Sequence, residues 1–83
     1  MQKIRQEENC GLGKNIRKMR IAAGLTQDEI TAQMQLRGCD ISRSIYSQIE
    51  CESYNIRVCE LIALKQILKT DYNAFFDGLE EDE

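Results

Sequence analysis

Gly24-Leu25-Thr26-Gln27-Asp28-Glu29-Ile30 and, further along, Ile41-Ser42-Arg43-Ser44-Ile45-Tyr46-Ser47-Gln48-Ile49-Glu50 are the two stretches that decide how this chain folds. In the first, Gly24 supplies the left-handed stop of a preceding helix. Thr26 and Glu29 stand at capping-box spacing, the hydroxyl placed to take the backbone N–H of Glu29 and the carboxylate placed to return to that of Thr26. A helix therefore starts at Gln27. In the second stretch, Ser42 or Asp40 is placed to cap a helix over 43–51. At about 100° per residue, Ile45, Tyr46 and Ile49 gather on one side of it, and Ser44 and Ser47, flanked by Arg43 and Gln48, on the other.

Upstream, Leu12, Ile16, Met19 and Ala23 make one apolar stripe on a helix over 10–23. The helix begun at Gln27 buries Ile30 and Met34, with Leu36 a further candidate, and stops near Gly38. Downstream, 52–55 reads as a loop without the glycine such a turn often takes. Val58, Leu61, Ile62, Leu64 (or the stem of Lys65) and Leu68 mark a fourth helix over 58–68. Asp71 is placed to cap a short fifth over 72–76, where Tyr72, Phe75 and Phe76 close the base of the core. The expected fold is a compact all-α domain of five helices over 10–76, with a polar, loose arm over 1–9 and an acidic tail over 77–83.

Eighty-three residues suffice for one small domain and not for two. The chain has no His, which removes the commonest general base and metal ligand, and so short a chain seldom walls off a deep pocket, so an enzyme is not expected. Apolar runs such as 61–64 are only a few residues long and the start is polar, so neither a membrane span nor a signal peptide is expected. Cys10, Cys39, Cys51 and Cys59 form no C-x-x-C pair and have no His to complete a zinc set. They read as reduced thiols, which implies a cytoplasmic setting, and no metal or cofactor is expected.

The formal charge is −3, yet five of the fourteen acids, Asp77, Glu80, Glu81, Asp82 and Glu83, lie in the last seven residues. Without them eleven basic residues face nine acidic ones, and Lys14, Arg17, Lys18 and Arg20 crowd into one segment. Local field rather than total charge governs polyanion binding. The tail reads as a solvated end that aids solubility.

Ile16-Arg17-Lys18-Met19-Arg20, the two opening stretches and 61–76 together resemble the Cro and phage-repressor-type (Xre) helix-turn-helix family, over about 12–76. The resemblance implies a phage-repressor-like fold with the helix-turn-helix at helices 2 and 3, and a sequence-specific DNA-binding transcriptional regulator acting as a repressor on double-stranded DNA. It puts Gln27 against phosphate and Arg43, Ser44, Ser47 and Gln48 toward bases or nearby phosphates, with Arg suited to guanine and Gln to adenine. It also implies an ion pair between Arg20 and Glu50. A homodimer on a near-palindrome follows from the few base pairs one domain reaches, with helix 5 and Phe75, Phe76 or Leu79 as interface candidates. No small-molecule effector site is visible. The alternative is a protein-interaction module of the same fold, antitoxin-like or an antirepressor partner, using the acidic tail.

Two departures from the family pattern carry structural consequences. Gln35-Leu36-Arg37-Gly38-Cys39-Asp40 lengthens the connection between the second and third helices, so either the second helix gains a turn or the connection bulges, and Arg37 sits on this extension. Thr31 stands where a small Ala is usual and can give its hydroxyl to the preceding turn. Tyr46 is expected in the core with its hydroxyl reaching the surface, and Ile45 borders the polar face.

Overall fold

Thr26 caps its helix at both ends of the reciprocal box: its Oγ1 accepts from the Glu29 N–H at 3.0 Å, and its own N–H donates to Glu29 Oε1 at 2.8 Å. Thr26→Ala is expected to cost about 1 kcal/mol of stability, read as a lowered urea midpoint with an unchanged slope. Ser42, rather than Asp40, caps the third helix by accepting from the Ile45 N–H, and Asp71 caps the fifth by accepting from that of Ala74. The computed structural model describes residues 11–78. The arm over 1–9, Cys10, and the tail beyond residue 78 with Leu79 lie outside the described residues.

Five helices follow one another: α1 Leu12–Ala22, α2 Gln27–Leu36, α3 Arg43–Glu50, α4 Val58–Leu68 and α5 Tyr72–Phe75, with no strand among the described residues. The fold is all-helical and compact. α1 packs on α3 and α5, and α2 packs on α3 and α4. Leu12, Ile16, Ile30, Met34, Tyr46, Ile49, Leu64 and Phe75 are fully buried in one shared core. No helix of the described residues is long and apolar enough to cross a membrane.

Several residues expected in the core are outside it. α1 ends at Ala22, and Ala23 is its exposed C-cap. Leu36 is 84% exposed, because it follows Met34 by two residues and so points away from the side Met34 buries. On α4 the core takes Leu61, Ala63, Leu64 and Ile67, leaving Val58 and Ile62 exposed and Leu68 half-buried. Phe75 is fully buried, which withdraws it as an interface candidate, while Tyr72 is exposed and lies under the Lys65 ammonium, 5.4 Å from the ring centre.

The lengthened connection is both a longer helix and a loop. α2 runs on to Leu36, Gly38 ends it at φ 91°, and the Cys39 N–H returns to the Met34 carbonyl at 3.0 Å. Gln35 Nε2 then braces the loop by donating to the Ile41 carbonyl at 2.7 Å, and Cys39 and Ile41 tuck into the core. The Thr31 hydroxyl is buried and donates to the Gln27 carbonyl at 2.7 Å. Arg37 folds back on the Gln33 carbonyl of its own helix.

Two carboxylates hold the loop between α3 and α4. Glu52, in the left-handed region at φ 63° where a glycine was absent, accepts from the N–H groups of Gly11 and Lys14, both at 3.1 Å. Glu60 is fully buried and accepts from the Tyr54 hydroxyl and from the backbone and guanidinium of Arg57, between 2.9 and 3.1 Å. At the other end of α1, Asn15 Nδ2 donates to the carbonyls of Phe75 and Asp77, tying α5 to α1.

Candidate functional site

Burying Tyr46 and Ile49 turns the opposite side of α3 outward, as a helix period of 3.6 residues requires. Arg43, Ser44 and Gln48 are exposed there and Ser47 is half-buried. The side chains of Ser44, Ser47 and Gln48 make no hydrogen bond among the described residues, so their polar groups are uncommitted.

Beneath this face lies a polar network centred on Glu50, whose side chain is 3% exposed. Arg20 grips it with two bonds, Nε to Oε2 at 2.6 Å and Nη2 to Oε1 at 3.2 Å, and sends Nη1 to the Leu25 carbonyl at 2.8 Å. Gln27 Nε2 donates to Oε1 at 3.0 Å and the Tyr46 hydroxyl donates to Oε2. The Tyr46 hydroxyl is therefore fully buried, contrary to the expectation that it reaches the surface, because Glu50 one turn later offers it an acceptor inside. One carboxylate thus joins α1, α2 and α3.

Electrostatics follow from this geometry. Burial pushes the Glu50 pKa up, but the hydrogen bonds from Arg20, Tyr46 and Gln27 outweigh it and hold the carboxyl below its ordinary value. Burial, and then the bond to Glu50, push the Tyr46 hydroxyl up, and the bond to Glu50 raises Arg20. A carboxyl that ionises more readily folded than unfolded stabilises the fold fully above the ordinary carboxylate range and loses that contribution as pH falls through the folded value. The difference in Tm between about pH 7 and about pH 4 is therefore expected to be smaller in Glu50→Gln than in the parent, a comparison thermal melts make directly.

Gln27 is the link from network to surface. Its Oε1 accepts from Arg43 Nη1 at 2.9 Å, while its Nε2 is spent on Glu50. Arg43 also meets Asp28, Nε to Oδ1 at 3.3 Å, with 58% of the Arg43 side chain and 82% of the Asp28 side chain exposed. The structure thus gathers Gln27, Arg43, Ser44, Ser47 and Gln48 around the junction of α2 and α3, and adds Asp28, which sequence reasoning missed. Its position beside Gln27 in the first turn was visible, but nothing in the spacing singles it out from Glu29 as the partner of Arg43.

Lys14, Arg17 and Lys18 are exposed on α1. No three His, Cys, Asp or Glu side chains among the described residues converge to hold a metal. The guanidinium of Arg43, the hydroxyls of Ser44 and Ser47 and the carboxamide of Gln48 offer donors and acceptors to a planar edge or an anion, with the engaged Gln27 and the exposed Asp28 carboxylate at their border. No family model, curated protein or solved structure matches the chain.

Proposed function

We propose that this chain is a sequence-specific DNA-binding regulator, acting as a repressor, that lays α3 in the major groove as the second helix of a helix-turn-helix formed with α2. The observation that carries this reading is the outward side of α3: Ser44, Ser47 and Gln48 have no partner among the described residues although the helix is buried behind them. Uncommitted Gln and Ser side chains on a projecting helix match the donor and acceptor pattern of base edges and phosphates. Arg43 is held by exposed Asp28, an ion pair worth at most about 1 kcal/mol, and by one hydrogen bond to half-buried Gln27 worth about 1 kcal/mol, so it can turn to a guanine by giving up two weak contacts. The first-turn N–H groups of α2 that Thr26 leaves free support phosphate contact beside it.

Affinity in this reading comes from phosphates and falls linearly in log salt, by about 0.9 per phosphate neutralised. Selection from randomised duplexes followed by a salt titration tests it. Arg43→Ala is expected to fold normally, to weaken the selected site by about 1–3 kcal/mol and to relax base preference at one position. If Arg43→Ala and Gln48→Ala both bind that site as tightly as the parent, the assignment of α3 fails. Two copies on a near-palindrome, half-sites about one helical turn apart, follow from the short reach of one domain, with Tyr72 and Phe76 on and beside α5 as contact candidates.

A second reading, a protein-interaction module of this architecture, is favoured by the exposed Asp28 beside Arg43, which puts negative charge where a phosphate would come. Such a module would show little affinity for random duplex even in dilute buffer.

A further inference from the structure

The loop after α2 and the first turn of α4 bring two thiols together. Cys39 is 5% exposed, and its thiol donates to the Cys59 carbonyl at 3.4 Å. The Cys59 side chain is itself near enough to hydrogen-bond the Cys39 thiol, the proximity that forming a disulfide requires. Cys59 is exposed, and both residues line one open cleft of about 230 Å³ between Arg37 and Ala63. Burial pushes the Cys39 thiol up from its ordinary value, and the neighbouring Cys59 side chain, through charge and a hydrogen bond, pushes the same way.

We propose that Cys39 and Cys59 are a redox modification site at which a peroxide couples the two thiols into an intrachain disulfide that braces the segment carrying α3. The proposal stands independently of the DNA-binding reading. The exposed Cys59 sulfur attacks the peroxide O–O bond, forming a sulfenic acid and releasing the other oxygen as water. Cys39, alongside and shielded from solvent, then displaces the sulfenic oxygen as a second water. Two thiols lose two electrons and two protons, and one hydrogen peroxide becomes two waters. The bridge closes the chain over 39–59, a loop that contains the whole of α3. Cross-linking such a loop removes conformational freedom from the unfolded chain, so the oxidised protein is the more stable form.

The four cysteines fall in four separate tryptic peptides, 6–14, 38–43, 44–57 and 58–65, so the full-length chain reports its own connectivity. Reduced protein is treated with hydrogen peroxide, remaining thiols are blocked, and the digest is read by mass spectrometry without reduction. The expected result is protein with no disulfide between chains, with 38–43 joined to 58–65 and a Tm raised on the order of 10 °C, reversed by dithiothreitol. Cys59→Ser, at an exposed position, is expected to keep the reduced parent's Tm and to lose both the link and the rise. Linkage through Cys10 or Cys51, disulfide-joined dimers, a sulfinic acid on Cys59 with Cys39 still a thiol, or a 39–59 link that leaves Tm unchanged would each overturn the proposal.

Discussion

Glu50→Ala is expected to lose about 3–5 kcal/mol of folding free energy, enough to leave a domain of this size at the margin of stability. The deleted carboxylate is the shared acceptor for Arg20, Gln27 and the Tyr46 hydroxyl. Removing it strands a guanidinium whose side chain is only 11% exposed and a hydroxyl with no access to water. The loss reflects an unpaired buried charge more than the worth of the pair, so replacing Arg20 and Glu50 together by apolar residues is expected to cost less than either single change. Urea denaturation of the four members of that cycle at neutral pH measures both quantities. Equal and additive losses would mean that the two residues act separately.

Gly13→Ala is expected to be comparably damaging, by about 3 kcal/mol or more, although in an isolated helix the same change would help by about 1 kcal/mol. Gly13 lies inside α1 where that helix presses on the end of α3. A methyl group there would stand 2.2 Å from the Ile49 carbonyl oxygen, 2.8 Å from that of Glu50 and 2.8 Å from Glu52 Cγ. The Glu52 side chain can swing aside only by giving up its bonds to the N–H groups of Gly11 and Lys14, and the two carbonyls belong to helix backbone, so α1 and α3 must separate and the core between them opens. Thermal and urea unfolding of the variant decide the sign: a Tm above that of the parent would show that the helices part at no cost.

Helix ends were legible because capping chemistry is local: Thr26 with Glu29, Ser42 or Asp40, Asp71, and the glycines at 24 and 38 announce themselves within a few residues. The buried side of α3 was equally legible, since apolar and polar residues there segregate cleanly. α4 was not, because Val58, Leu61, Ile62, Leu64, Ile67 and Leu68 leave little polar contrast to choose a face by, and packing on α2 decided for Ala63 and Ile67. Gly13 escaped notice because a helix crossing read by backbone proximity leaves no apolar mark. The site shows the same division. Exposure of Arg43, Ser44 and Gln48 followed from the wheel, whereas the double engagement of Gln27 and the Asp28 partnership depend on how α2 lies against α3, which spacing does not encode.

Glu52 ties the first turn of α1 to a loop 41 residues away from Gly11 in the chain. During synthesis from the amino end, that turn emerges early but its carboxylate partner emerges only after α2 and α3 have been made. Closure of the Glu52 contact therefore waits for α3 and becomes possible before α4 and α5 are complete. Amide exchange at Gly11 and Lys14 should accordingly track opening of the α3–α4 loop rather than fraying of α1 alone.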